Sequence, residues 1–392
     1  MSDADLIVRI ASRGEGVTSD GRHAALAAPG DWLRGDGIVD PGPDHATPPC
    51  RHFPTCGGCQ LQHVSDAAYA TYITDRIVHA LHAQGIDAPA MSTPHLSLPR
   101  TRRRASLRAE RRGRAVILGF NEGASNRIID LNECHVILPE LFALLAPLRR
   151  LLATVLRDRG RATVTMTRCD QGIDLMLGGF EVEGLAGTEE LIAFGETQGL
   201  ARLSLDEGYG PSIRYMPDVA TVTLSGMPVA MPEGAFLQAT ADGEAALVDA
   251  VAKALSGVMT IADLFAGLGT FALALPGNVH AVEGARDAVL ALMATGRVGV
   301  EHRDLFRRPL SVNELNQFDG LVLDPPRAGA KEQVAEVARS SVARLAYVSC
   351  NPATFARDAK TLIDGGYRLE RITPVGQFRW STHVELAASF QR

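Results

Sequence analysis

No stretch of about eighteen consecutive apolar residues occurs in the chain, so no membrane-spanning helix is expected. The opening residues, Met1 to Asp5, are acidic and carry neither the positive segment nor the apolar core of a secretory signal, which makes a cytoplasmic protein the expectation. Two nucleotide-binding signatures are also missing. No Gly-Lys-Ser/Thr follows the Gly267-x-Gly269 turn, which excludes a phosphate-cradling P-loop, and the third glycine of the dinucleotide fingerprint is absent. There are no internal repeats. An excess of positive charge is lacking too: the net charge of −6 argues against a generic nucleic-acid coat, although a local basic patch can still steer an anionic partner.

What is present fits a globular protein with a sizeable core. The 392 residues suffice for two or three domains, with 46% hydrophobic and 21% charged residues. Residues 1–45 read as a small β module: Leu6 to Ile10 is strand-like, and Arg13-Gly-Glu-Gly16 and Ser19-Asp-Gly21 are turns. A Pro-rich linker, 40–49, leads to a second region, 46–235. There, Ser65 caps an expected helix to Gln84, with apolar residues at Tyr69, Tyr72, Ile73, Ile77 and Leu81. A second helix is expected over Pro139–Arg157. Ala162–Thr167 and Gly172–Leu177 alternate like neighbouring antiparallel strands, an α+β pattern.

From about Thr240 the rhythm changes. A helix over Ala241–Leu255 leads into strand Met259–Phe265. Strands at Val279–Val282, Gly320–Leu323 and Arg344–Val348 follow, separated by helix-length segments. Strands alternating with helices predict a parallel, doubly wound α/β sheet over 236–392. Tyr367–Val375 and His383–Phe390 have no helix between them, which predicts an antiparallel finish.

The first of these strands ends in Asp263-Leu-Phe-Ala-Gly-Leu-Gly, where the chain is expected to turn into a helix. Gly267 and Gly269 let a ligand approach the backbone closely. Glu283 closes the second strand and suits ribose hydroxyls, as acids there do in Rossmann sites. A Gly-rich turn plus a ribose-binding acid fits an adenosine ligand without a pyrophosphate, and S-adenosylmethionine is such a ligand. A bare Gly-x-Gly would serve a tight turn equally well; Asp263 and Glu283 favour the cofactor.

Two further strand ends carry chemistry. Leu323-Asp-Pro-Pro-Arg327 closes one strand and Val348-Ser-Cys-Asn-Pro352 another, where open α/β sheets bind ligands. A thiol at Cys350 and a carboxylate at Glu385 suit methyl transfer to C5 of a pyrimidine. A thiolate adding at C6 makes C5 nucleophilic, and a base then removes the C5 proton so that the thiolate leaves. A core cysteine and a surface acid are the ordinary roles of such residues. Asp-Pro-Pro alone also suits methylation of exocyclic nitrogen, which needs no cysteine.

Taken in order, Asp263-Leu-Phe-Ala-Gly-Leu-Gly, Leu323-Asp-Pro-Pro-Arg, Val348-Ser-Cys-Asn-Pro and His383-Val-Glu resemble the RNA uracil-C5 methyltransferases. The resemblance implies a class I S-adenosylmethionine-dependent methyltransferase (Rossmann-like) C-terminal domain, with Cys350 as nucleophile and Glu385 as base. Gln238, Phe265, Gly267, Gly269, Thr270, Glu283, Asp304 and Asp324 would be its cofactor positions. Thr270 and Asp304 both stand where asparagine is more usual. Phe236 would lie near the flipped base.

Of six cysteines, Cys50, Cys56 and Cys59 form one cluster, Cys134 in Glu133-Cys-His135 is the best fourth ligand, and Cys169 reads as structural. Thiols at this density select zinc or an iron–sulfur cluster, and spacing alone does not choose. Cys-x5-Cys-Gly-Gly-Cys, with the distant Glu-Cys, resembles the family branch that modifies a 23S rRNA uridine and carries a [4Fe–4S] cluster. The partner this implies is 23S rRNA, with no membrane and no obligate protein partner. Methylation of a tRNA uridine is the alternative, and an inactive iron–sulfur RNA-binding protein a third reading. Residues 100–114 hold eight arginines and one glutamate, a candidate phosphate grip. The N-terminal module resembles a reduced TRAM barrel.

Overall fold

The computed structural model describes residues 4–392, so the first three residues of the expected N-terminal module lie outside it. In the rest of that module five short strands run in the order His23–Ala24, Gly16–Thr18, Asp5–Ile10, Trp32–Leu33 and Val39–Asp40. Neighbours are antiparallel, and the outermost two do not pair, so the sheet is an open ladder. The buried Asp31 carboxylate accepts from the amides of Ala28 and Gly42 at 2.7 Å each, fastening the Pro-rich linker to the module.

Ser65 caps the helix Asp66–His82, its Oγ accepting from the Ala68 amide at 3.1 Å. Tyr69, Tyr72, Ile73, Ile77 and Leu81 are all buried, as the helical spacing predicts. They pack in one apolar cluster with Leu264, Leu323, Tyr347 and Phe355 of the C-terminal region. Strands Ala90–Met91 and His95–Leu96 pair with Arg368–Gly376. This part of 46–235 therefore builds the wall of the C-terminal sheet, and the hairpin Thr221–Leu224/Met227–Ala230 packs in an apolar cluster with C-terminal residues, while most of the remainder forms a layer of its own.

That layer is a six-stranded sheet in the order Pro211–Tyr215, Arg202–Asp206, Gly172–Gly178, Arg161–Cys169, Arg104–Arg112, Ala115–Gly119. Arg161–Cys169 and Gly172–Gly178 pair antiparallel, with Ala162, Val164 and Met166 inward. Cys169 is buried, consistent with its structural reading. The helix expected over 139–157 is two helices, Pro139–Ala143 and Leu145–Val155. Pro147 has no amide to donate to the Ala143 carbonyl, and the chain breaks there. An additional helix, Gly184–Thr197, has no side-chain cap and holds three glycines, which hide it from a propensity reading. Gly195 is required because a Cβ there would meet the Tyr215 ring at 2.6 Å.

The C-terminal sheet runs Gly299–His302, Asn278–Glu283, Thr260–Leu264, Gly320–Leu323, Arg344–Ser349, Glu385–Gln391, Arg368–Gly376, extended by the two short strands above. The first five strands are parallel, and Glu385–Gln391 is antiparallel to both its neighbours. This is the class I methyltransferase order, with the strand order reversing beside Thr260–Leu264. Gly299–His302 escapes a pattern reading: it is a four-residue edge strand with no buried residue. After the glycines the expected helix is replaced by successive turns, with Leu273 N donating to Gly269 O at 2.9 Å. Pro276 ends the segment before a regular helix can grow.

Phe355, fully buried, meets Tyr347 edge-on at 5.5 Å and Phe390 at 6.3 Å between ring centroids. Phe355→Ala should destabilise the protein by ~3–5 kcal/mol in urea unfolding. A loss below ~1 kcal/mol would contradict the packing described.

Candidate active site

The strand directions bring the candidate residues to one edge. Phe265, Gly267, Gly269 and Thr270 follow the end of Thr260–Leu264, Glu283 ends Asn278–Glu283, and Asp304 lies just past Gly299–His302. Asp324 and Cys350 directly follow Gly320–Leu323 and Arg344–Ser349. Glu385 begins an antiparallel strand, so it starts where its neighbour ends: Ser349 pairs with Leu386, which sets Glu385 beside Cys350.

The cofactor turn is shaped by its backbone. Phe265, Gly267 and Gly269 have φ of 66°, 57° and 91°, the left-handed region that glycine tolerates best. At Gly269 a Cβ would also strike Leu292 at 2.6 Å. The amide of Gly267 donates to Glu283 Oε2 at 2.8 Å and that of Ala285 to Oε1 at 2.7 Å. Glu283 is thus locked to the turn, with lone pairs left on both oxygens. The Phe265 ring lies 5.4 Å from Phe306. Asp304 Oδ1 accepts from Phe306 N at 3.0 Å, while Thr270 is half-buried with no side-chain partner among the described residues. Gln238 is buried, and Phe236 is 65% exposed beneath the Arg104 guanidinium, 5.0 Å from the ring.

The crevice floor is acidic. Burial pushes Asp324 up to about 7. Burial, then the neighbouring Asp324, push Glu385 up to about 8, against the pull of Gln377, Arg327 and Arg102. Asp263 is fully buried, its carboxyl oxygens have no hydrogen-bond partner among the described residues, and burial with Asp324 beside it raises its pKa strongly. Burial and the carboxylates of Glu385 and Asp324 raise the Cys350 thiol, whereas Arg327 lowers it. Arg327 Nη2 also donates to His383 Nδ1 at 2.6 Å. The Arg327 carbonyl is held in turn by Asn351 Nδ2 and Thr354 Oγ1, each at 3.1 Å. Arg327 and His383 belong to quoted motifs, but their contact with each other and with the thiol appears only in three dimensions.

Cys50, Cys56, Cys59 and Cys134 line one cavity of about 450 Å³, whose opposite wall is Arg327, Phe378 and His383. Among the described residues no set of three or more His, Cys, Asp or Glu side chains is grouped to hold a metal ion. Arg102 also lines the cavity, stacked 4.9 Å over Phe378, so the cysteine pocket abuts the crevice.

The arginine run is divided by the fold. Arg103 bonds Gln238 O at 3.0 Å and Glu244 at 2.5 Å; Arg104 bonds Leu237 O at 2.7 Å. Arg111 reaches Leu156 O and Gly113 O, and Arg112 pairs with Glu110. These side chains join the central layer to the C-terminal one or close turns. Arg100, Arg108 and Arg114 are exposed with no acidic partner among the described residues, leaving a basic patch smaller than the sequence suggests.

The opposing charges on Cys350 set a test. Arg327→Gln should slow alkylation of Cys350 by iodoacetamide severalfold at pH 8, because the thiolate loses its cation, and Glu385→Gln should speed it. Peptide mapping separates Cys350 from the other five cysteines. Equal rates in all three proteins would contradict the arrangement.

A family model described as tRNA (Uracil-5-)-methyltransferase matches residues 298–392. The chain is 48% identical to an uncharacterized RNA methyltransferase of Zymomonas mobilis, over 98% of this chain and 99% of that one. It is 30% identical to the 23S rRNA (uracil(1939)-C(5))-methyltransferase RlmD of Aeromonas salmonicida, over 91% and 84% of the two chains. In fold it is similar to the crystal structure of Pyrococcus abyssi tRNA (uracil-54, C5)-methyltransferase in complex with S-adenosyl-L-homocysteine, with TM-score 0.76, 21% identity and 99% of each chain covered. Sequence likeness along nearly its whole length and the class I sheet agree: the chain belongs to the RNA uracil-C5 methyltransferase family and is an RNA (uracil-5-)-methyltransferase.

Proposed function

We propose that the enzyme methylates C5 of a uridine in 23S rRNA, taking the methyl group from S-adenosylmethionine, with Cys350 as nucleophile and Glu385 as general base. The observation that carries this reading is the strand register that sets a thiol and a buried carboxylate side by side at the edge of the cofactor turn. Cys350 adds through its thiolate to C6, and the ring becomes an enolate. C5 then takes the methyl group from the sulfonium, releasing S-adenosylhomocysteine. Glu385 removes the C5 proton; the C–H electrons restore the C5–C6 double bond, the C6–S bond breaks and the thiolate leaves. Arg327 stabilises that thiolate on entry and exit. The uridine must leave its stack to reach this crevice, and exposed Phe236 offers a face beside the entrance.

For the cofactor, the Gly267–Gly269 turn admits the ligand and Glu283 accepts ribose hydroxyls on its free lone pairs. Phe265 flanks the adenine, and Gln238, Thr270, Asp304 and Asp324 line the remaining contacts. The support for a cluster is that the four thiols line one cavity. Cys50, Cys56, Cys59 and Cys134 would hold a [4Fe–4S] cluster, which would tie the 50–59 loop to the 132–135 segment. The methyl transfer itself requires no electron transfer.

The 23S rRNA substrate is favoured by the Aeromonas relative and the cysteine quartet. The tRNA reading is favoured by the Pyrococcus structure and the family description. Incubation with S-adenosylmethionine and unmethylated rRNA or tRNA, followed by mapping of 5-methyluridine, separates the two. Product on 23S rRNA is expected, product on tRNA alone supports the second reading, and no product on either refutes both. Anaerobically purified protein should contain iron and acid-labile sulfide; zinc without sulfide would refute the cluster.

The raised acid gives a pH dependence with a definite sign. Below about 8 Glu385 is protonated and cannot act as base, so the rate of C5 deprotonation, read as decay of the methylated covalent adduct, should rise with pH up to about 8 and level off above it. A rate already flat from pH 6 would contradict the assignment of Glu385 as base.

A further inference from the structure

We propose that Gln377 is the positioning residue of Glu385, aiming its carboxylate and favouring the ionised form; this rests on the reading of Glu385 as the base. Gln377 is buried just past the end of strand Arg368–Gly376, eight positions before Glu385 and outside every motif that marks the site. Its amide is fully engaged. Oε1 accepts from the amides of Ala239 at 2.8 Å and Thr240 at 3.3 Å, at the start of the helix Ala241–Ala254. Nε2 donates to Gln238 Oε1 at 2.7 Å and to Glu385 Oε2.

This pattern fixes which end of the amide faces the acid. Turning it over would set an NH2 against two N–H donors and an oxygen against two acceptors. The donor to Glu385 is therefore held by the backbone of another element rather than by rotamer preference alone. It also links the acid to Gln238, at the proposed cofactor site. A second observation shows that the fold makes room for this contact. A Cβ on Gly243 would lie 2.6 Å from Gln377 Cβ and 3.2 Å from its Oε1, so only glycine lets the helix start close over the amide.

A hydrogen bond donated to a carboxylate stabilises its charged form and opposes the effect of burial. Replacing Gln377 by the similarly sized, non-donating methionine should leave Glu385 protonated to higher pH and slow C5 deprotonation. The covalent Cys350–RNA adduct, methylated at C5, then outlives its wild-type counterpart.

The experiment is single-turnover methylation of uridine-containing substrate RNA by wild type, Gln377→Met, Gly243→Ala and Glu385→Gln, followed by denaturing gels and a pH profile. For Gln377→Met the acid limb of kcat should move up by about one pH unit, from the usual strength of a charged hydrogen bond. At pH 7.5 the adduct should decay about tenfold more slowly, with KM for RNA within twofold of wild type. Gly243→Ala keeps the amide but displaces it, and should shift the limb in the same direction. It serves as the independent variant if Gln377→Met folds poorly by circular dichroism. An unmoved acid limb with wild-type adduct decay, in whichever of these variants is folded, overturns the proposal. Wild-type decay in Glu385→Gln overturns the base assignment itself, whereas slow decay there with normal decay in Gln377→Met condemns only the role of Gln377.

Discussion

The antiparallel pairing of Glu385–Gln391 with Arg344–Ser349 is the constraint on which the site depends. Parallel strands present only their carboxyl ends to the crevice, and four of them supply the candidate cofactor turn, Glu283, Asp324 and Cys350 there. A side chain at the beginning of a strand reaches the same edge only if that strand runs the other way. The register, Ser349 opposite Leu386, then leaves Glu385 beside Cys350, and a one-residue slip would turn the acid to the opposite face.

Burial sets the chemistry of what the register brings together. Three acids, Asp263, Asp324 and Glu385, share a crevice floor, and each is raised above the ordinary carboxylate range by burial. A base that holds its proton more tightly is a stronger base once ionised, and one near neutral pH is well matched to proton abstraction. The same environment raises the Cys350 thiol. Arg327, anchored through its carbonyl by Asn351 and Thr354, supplies the compensating positive charge and ties the Asp-Pro-Pro-Arg loop to the Ser-Cys-Asn-Pro loop.

Much of this was legible in the sequence because the signals are local. Four of the five parallel strands are short apolar runs leading into Asp, Glu, Cys or Gly, and Gly320–Leu323 is found where the pattern places it. The antiparallel finish follows from two strands with no helix between them. The four thiols that spacing plus one distant partner groups together line one cavity, but among the described residues they are not grouped to hold a metal ion. What was illegible depends on distance. Gln377 is oriented by the amides of Ala239 and Thr240, 138 and 137 positions away, and no neighbouring residue announces it. The arginine run reads as one basic stripe, yet Arg103 and Arg104 turn toward backbone carbonyls of 237–238, which sequence proximity cannot show. The helix Gly184–Thr197 is held by packing on Tyr215 against its own propensity.

As the proposed nucleophile, Cys350 must form a bond to the uridine that is methylated. The most direct measurement is mass spectrometry of the peptides covalently attached to a 5-fluorouridine substrate RNA after incubation with S-adenosylmethionine, since fluorine at C5 leaves no proton for the base to remove. A single cross-linked peptide carrying Cys350 is expected, with the attached base methylated. An adduct on any other residue, or one that persists unchanged in Cys350→Ala, would contradict it.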